Sequence, residues 1–124
     1  MRSVFLSSLA LVAAWAGAGS LLQQAPAKSM AMSNPLTDQE RAQKAGAKLY
    51  ARECASCHGM NGAGIGKSPP LNRPDIYQAA PGALFWVLRN GSLRSGMPSF
   101  AHLPDPQRWQ IVTYLKSRRG ETLR

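Results

Sequence analysis

Apolar residues recur at helical spacing in three stretches of the chain. The first stretch follows Thr37 and Glu40, which stand three positions apart and predict a capping box at a helix start. The packing face of this helix is expected to consist of small and apolar residues, namely Ala42, Ala45, Gly46, Leu49 and Tyr50. The helix should run directly into the segment that holds the cysteines.

Two further helices are predicted in the second half of the chain. Pro81 suits the first turn of a helix, and Asn90-Gly91 can end that helix in a left-handed cap. Asp105-Pro106 is typical of the start of another. The apolar positions of these two helices are Leu84, Phe85, Val87 and Leu88, then Trp109, Ile111, Val112, Tyr114 and Leu115.

No stretch alternates between apolar and polar residues as a strand would, and residues 59–75 are rich in Gly and Pro. The predicted fold class is therefore all-α, a small domain of three to five helices with long loops. Gly66-Lys67-Ser68 resembles the end of a phosphate-binding loop. Asn61 stands where that motif requires glycine, however, and no strand precedes it, so nucleotide binding is not predicted.

The N-terminal residues have the pattern of an export signal. Arg2 precedes an uncharged, mostly apolar stretch over residues 4–22, and two small-residue cleavage patterns follow, Ala16-Gly17-Ala18 and Ala25-Pro26-Ala27. We favour cleavage after Ala27. The apolar stretch is also long enough to span a bilayer, so an uncleaved anchor in the inner membrane is the alternative.

These boundaries divide the chain into four parts. We predict a signal peptide or anchor over residues 1–27, a flexible linker over 28–36, a globular domain over 37–120 and a C-terminal tail over 121–124. The domain is expected outside the cytoplasm, in the periplasm. Contact with a membrane is expected only if the N-terminal segment is retained.

The chain is strongly basic, with 15 Lys and Arg residues against 6 Asp and Glu residues and a formal net charge of +9 at pH 7. The basic residues are scattered, and an exported protein does not meet nucleic acid, so nucleic-acid binding is not predicted. A basic surface instead favours docking with an acidic protein partner.

The most specific feature is the segment Cys54-Ala55-Ser56-Cys57-His58, which holds both cysteines of the chain. Cys-x-x-Cys-His is the attachment signature of c-type haem. In one turn of helix the two sulfurs can reach the two vinyl groups of the porphyrin and form thioethers. The next residue then lies at the iron. We predict one covalent haem c, held by Cys54 and Cys57, with His58 as an iron ligand.

Two other uses of these cysteines are open. A Cys-x-x-Cys redox pair or disulfide normally accompanies a βαβ pattern, which the chain lacks. A structural zinc site needs four ligands, and the chain offers only Cys54, Cys57, His58 and His102.

The second axial ligand of the iron should be a thioether. Met1, Met30 and Met32 precede the predicted domain, and Met60 is too close to His58 to reach the opposite haem face. Met97 remains, flanked by Gly96 and Pro98 in an irregular segment. The rival ligand is His102, which would lower the reduction potential because His/Met ligation raises it.

The order of these features resembles the class I c-type cytochromes, which are small monohaem electron-transfer proteins. The resemblance covers about residues 36–117. Beyond the attachment motif, Gly96-Met97-Pro98-Ser99-Phe100 is similar to the family's distal-ligand loop. The family's helix-crossing contact has counterparts in Gly46, Tyr50, Trp109 and Tyr114.

The resemblance implies a cytochrome c fold wrapped around one haem, with the carbonyl of Pro69 or Pro70 accepting a hydrogen bond from His58. Further candidates are aromatic residues for the haem pocket and arginines for the haem propionates. They are Phe85, Trp86 and Trp109, and Arg73, Arg89 and Arg94.

Three functions compete at this stage. The first is a diffusible periplasmic electron carrier between a redox donor and acceptor. The second is an electron-transfer subunit bound to a dehydrogenase or oxidase. The third is a small haem peroxidase or gas sensor, which requires an open iron site and is therefore disfavoured by Met97.

Overall fold

The computed structural model describes residues 21–119. In this part of the chain a 3-10 turn, Leu21–Gln24, is followed by six α-helices. They are α1 (Ala27–Met30), α2 (Glu40–Glu53), α3 (Ala55–His58), α4 (Pro74–Tyr77), α5 (Pro81–Asn90) and α6 (Asp105–Ser117). Residues 21–119 contain no strand, only isolated bridges at Ile65–Ser68 and Ser92–Met97. The all-α prediction is confirmed, and its three helices are α2, α5 and α6.

The predicted membrane-spanning stretch lies mostly outside the described residues, which begin at Leu21. Within residues 21–119 no helix has the length and apolar character needed to cross a membrane.

The centre of the fold is the crossing of α2 and α6. Gly46 is buried there, and a methyl group on its Cα would lie 2.0 Å from the carbonyl oxygen of Gln110. The rings of Tyr50 and Tyr114 flank the crossing with their centroids 5.4 Å apart. The side chain of Ile111 is fully buried. Glycine is required at position 46 because the two backbones approach too closely for any side chain.

The start of α2 differs from the prediction. Gln39 precedes the helix without a side-chain capping bond, and the hydroxyl of Thr37 donates instead to the carbonyl oxygen of Asn34 at 3.0 Å. Asp38 adopts a left-handed φ of 61°. The predicted capping box is therefore wrong, because a turn over residues 34–37 uses the Thr37 hydroxyl before the helix begins.

Helix α6 also holds α5 and α4 in place. Phe85 of α5 stacks on Trp109 of α6 in the core with a centroid separation of 3.9 Å. At the other end of α6, the ammonium of Lys116 donates to the carbonyl oxygens of Tyr77 and Ala79, each at 2.6 Å. Burial, together with the charge of Arg119, lowers the pKa of Lys116. The last turn of α4 is thereby tied to the core.

Residues 28–36 do not form the flexible linker that was predicted. They include most of α1, and Asn34 is buried, with 8% of its surface exposed. The side-chain amide of Asn34 donates to the hydroxyl of Thr113 on α6 at 2.8 Å. The local composition is small and polar, but long-range contacts order the segment.

Candidate cofactor site

A cavity of about 430 Å³ opens between α3, α5 and the two loops over residues 59–73 and 91–104. The apolar side chains in its walls are Leu71, Ile76, Leu84, Val87, Leu88, Phe100 and Leu115. This volume and mostly apolar lining are typical of a site that binds a small molecule or cofactor.

The cysteine segment forms one wall of the cavity. Cys54 and Cys57 both line it, with Cys54 buried and Cys57 exposed, and neither is in a disulfide. The N–H groups of Cys57 and His58 donate to the carbonyl oxygen of Cys54 at 3.2 and 2.9 Å. This single helical turn places both thiols and the imidazole around one space.

The thiol of Cys54 is held in its neutral form by its surroundings. Burial, reinforced by the charges of Glu53 and Cys57, raises the pKa of the Cys54 thiol to about 12. Zinc ligation requires the thiolate. Among residues 21–119 no three His, Cys, Asp or Glu side chains are grouped to hold a metal ion. Within residues 21–119 no set of zinc ligands is therefore assembled, and both cysteines are free thiols.

His58 is held by the loop that follows it. Its Nδ1 lies 2.8 Å from the carbonyl oxygen of Pro69, so a proton on Nδ1 leaves the Nε2 lone pair available to a metal. The N–H of Gly64 donates to the His58 carbonyl oxygen at 2.8 Å, and the Tyr50 hydroxyl donates to the Gly59 carbonyl oxygen at 2.7 Å. Of the two candidate prolines, Pro69 makes the contact with the ring.

Met97 lines the same cavity from the loop between α5 and α6 and packs against the hydrophobic core. Its backbone exchanges two hydrogen bonds with Ser92, of 2.9 and 3.0 Å, which close the loop before it. Gly91 turns into this loop with a φ of 60°. His102 is exposed and does not line the cavity. The thioether, and not the rival imidazole, therefore reaches the cavity.

The polar lining also fits a porphyrin that carries carboxylates. Arg73 lines the cavity, and its Nε is buried without a hydrogen-bond partner, while its Nη2 donates to Asp75 at 2.7 Å. A carboxylate oxygen is the acceptor that best satisfies a buried guanidinium N–H without a partner. The other two candidate arginines, Arg89 and Arg94, do not line the cavity.

Several expected wall residues are elsewhere. Phe85 and Trp109 stack on each other in the core, and none of Phe85, Trp86 and Trp109 lines the cavity. Phe100 lines it instead. Leu21 and Leu22 do so as well, although the sequence assigned them to a removable signal. The apolar character of the two leucines was visible in the sequence, but it has the same appearance in a signal peptide and in a cavity wall.

An all-α domain with Cys-x-x-Cys-His and a methionine on the walls of one cavity is a c-type cytochrome domain. A family profile described as "Cytochrome C oxidase, cbb3-type, subunit III" matches residues 41–115, and the chain belongs to this family. The chain is also 34% identical, over 82% of its length, to quinohemoprotein alcohol dehydrogenase ADH-IIG of Pseudomonas putida. It is 33% identical, over 78% of its length, to quinohemoprotein alcohol dehydrogenase ADH IIB of the same organism.

The chain spans only 14% of the length of each of these two relatives. No solved structure matches the chain at a significant level. The family establishes covalent haem c as the cofactor and electron transfer as the function of this domain.

Proposed function

We propose that this domain is an exported one-electron carrier in which His58 and Met97 occupy both axial positions of the haem iron. The observation that carries the proposal is that His58, at the end of α3, and Met97, in the loop between α5 and α6, line the same cavity although they are far apart in sequence. When bound, haem supplies reversible one-electron Fe(III)/Fe(II) chemistry. Cys54 and Cys57 would hold the porphyrin through thioethers, and Arg73 would pair with a propionate.

The protein's own groups would set the reduction potential. The hydrogen bond to Pro69 keeps His58 in one tautomer and one orientation. The mostly apolar lining of the cavity would reduce contact of the haem with water, and a methionine ligand would raise the potential relative to a second histidine. If His58 and Met97 both bind the iron, no position on it would be left for a substrate, which favours a carrier over a peroxidase or gas sensor.

Replacement of Met97 by alanine tests this assignment. We expect the Met97→Ala holoprotein to have a lower midpoint potential and to bind carbon monoxide or imidazole. Met60→Ala is the matched control, because 65% of the Met60 surface is exposed. The assignment is contradicted if Met97→Ala keeps the spectrum and potential of the parent protein.

We also infer that the mouth of the cavity is the docking face for an acidic redox protein. The two loops that flank the cavity present exposed apolar side chains, which are Met60, Ile65 and Leu93. Lys67 lies among the cavity-lining residues, and Arg94 follows Leu93 in the second loop. An apolar patch beside cations is complementary to an acidic surface, and the electron would travel a short distance from there.

Electron-transfer kinetics test the docking face. With an acidic redox partner, the association rate should fall as ionic strength rises. Lys67→Glu and Arg94→Glu should lower this rate, whereas Lys48→Glu on the exposed side of α2 should change it less. Equal effects of all three variants would show that net charge, and not this face, governs the encounter.

The place of the domain in the cell is a further proposal. The N-terminal apolar stretch and the haem-attachment motif support export to the periplasm, with the stretch acting as a cleaved signal or as an anchor. A permanent place in a larger oxidoreductase is the second candidate, favoured by the relatives in which the matching region is a small part of a dehydrogenase. Fractionation of the producing cells followed by native electrophoresis of the haem-stained protein distinguishes a free carrier from a bound subunit.

A further inference from the structure

We infer that residues 21–36, named here the N-terminal strap, form a permanent wall of the haem cavity, so that any maturation cut falls before Leu21 and not after Ala27. The inference rests on the proposed export of the chain. Its structural part, the seating of the strap, stands on three separate contacts.

The first contact is with the cavity itself. Leu21 and Leu22 line it, and Leu22 packs against the hydrophobic core. Ala25 is buried just behind them, with 5% of its surface exposed. A chain that began at Lys28 would lose all three residues, and the haem would be exposed to water on this side.

The second contact is with α5. Gly82 lies in the first turn of that helix, and a methyl group on its Cα would lie 1.8 Å from the carbonyl oxygen of Ser29 and 3.0 Å from the Cβ of Met32. Glycine is a poor helix former, so its presence in the first turn of α5 calls for a structural reason. The backbone of the strap, lying directly on α5, supplies that requirement.

The third contact is with α6. The buried amide of Asn34 donates to the Thr113 hydroxyl at 2.8 Å, and its Oδ1 accepts the Leu36 N–H at 2.9 Å. The strap is therefore held at both ends, by the cavity and by α6. The bond between Ala27 and Lys28 lies between these attachments, inside the first turn of α1. Cleavage there would divide a packed element, whereas Ala16-Gly17-Ala18 offers a cleavage pattern that leaves the strap whole.

The mature N-terminus is the direct test. Holoprotein recovered from the exported fraction is analysed by N-terminal sequencing and intact mass. A first residue at or before Leu21, including a retained Met1, supports the inference, and a first residue at Lys28 overturns it. Failure of the export proposal is distinguishable, because the protein would then remain in the cytoplasmic fraction without covalent haem.

The seating of the strap is tested separately in the full-length holoprotein. Gly82→Ala should displace the strap, which would lower the melting temperature by about 5 °C, speed proteolysis within residues 21–32 and admit imidazole to the iron faster. An unchanged or higher melting temperature with unchanged proteolysis overturns the seating. If Gly82→Ala does not mature, the pair Leu22→Ala and Leu93→Ala decides, because Leu93 is 98% exposed. A larger drop in melting temperature for Leu22→Ala than for Leu93→Ala supports the seating of the strap, and equal drops overturn it.

Discussion

The carbonyl oxygen of Pro69 lies 2.8 Å from Nδ1 of His58, eleven residues earlier in the chain. A backbone carbonyl is the acceptor, so the orientation of the ring depends on the path of the whole loop between the two residues. Two backbone hydrogen bonds hold this loop in shape: the Gly64 N–H donates to the His58 carbonyl oxygen, and the Leu71 N–H donates to the Gly62 carbonyl oxygen. The loop therefore sets the orientation of His58, the proposed iron ligand.

Gly64→Ala should disturb this loop more than Gly66→Ala. Both glycines have positive φ, but a methyl on Gly64 would lie 2.8 Å from the Ser68 carbonyl oxygen, while nothing lies within 4 Å of one on Gly66. The left-handed backbone alone costs about 1 kcal/mol, and the crowding at Gly64 should raise the loss of unfolding free energy to about 3 kcal/mol. Denaturant unfolding and the midpoint potential of both holoproteins measure the difference. Equal losses and unchanged potentials would show that the loop does not position His58.

The helix crossing predicts a large effect at Gly46. Alanine favours a helix over glycine by about 1 kcal/mol, but here its methyl would lie 2.0 Å from the Gln110 carbonyl oxygen. We expect Gly46→Ala to separate α2 from α6 and to lower the unfolding free energy by about 3 kcal/mol. The control is Ala51→Gly on the exposed side of α2, which should cost about 1 kcal/mol through helix propensity. Thermal unfolding that finds Gly46→Ala neutral would refute the close crossing.

Tyr50 predicts a pH dependence. Burial raises the pKa of its hydroxyl from 10.0 to about 12, and the hydroxyl donates to the Gly59 carbonyl oxygen at 2.7 Å. The unfolded chain loses this proton near pH 10, whereas the folded chain keeps it. The contribution of Tyr50 to the free energy of unfolding is therefore complete below pH 10 and is lost between pH 10 and about 12. Tyr50→Phe should flatten this fall and cost about 1 kcal/mol at neutral pH.

Denaturant titrations of the holoprotein at a series of pH values measure this dependence. Tyr114→Phe removes the hydroxyl of the neighbouring ring and serves as the control. If the parent and Tyr50→Phe proteins lose stability in parallel above pH 10, Tyr50 is not the responsible group.

Lys116 is expected to stabilise the fold through its backbone contacts. Lys116→Met keeps the length of the side chain but removes the ammonium, which donates hydrogen bonds to the Tyr77 and Ala79 carbonyl oxygens. Loss of charged hydrogen bonds of this kind typically costs about 2 kcal/mol. Lys48→Met, at an exposed position of α2, should leave the free energy of unfolding nearly unchanged. Hydrogen exchange of the α4 amides locates the effect, and unchanged protection there would contradict the tether.

Much of the architecture could be predicted because it depends on local patterns. Helices α2, α5 and α6 each carry an apolar face whose period is visible in one stretch of sequence. The attachment motif acts within one helical turn, so the spacing of Cys54, Cys57 and His58 is sufficient to recognise it. Met97 was predicted as a ligand by elimination, since the other four methionines lie before the predicted domain or beside His58, and the structure places it among the cavity-lining residues.

By itself the sequence determined the all-α class and the haem-attachment segment, because each is carried by residues close together in the chain; the glycine at the helix crossing was expected only from the resemblance to the cytochrome family. Only the tertiary structure decided that Pro69 and not Pro70 faces His58, that Arg73 and not Arg89 or Arg94 reaches the cavity, and that the strap is part of the fold. These are contacts between segments far apart in sequence, where composition carries no information about the partner. A buried apolar wall and an export signal are made of the same residues, and their difference lies only in what they pack against.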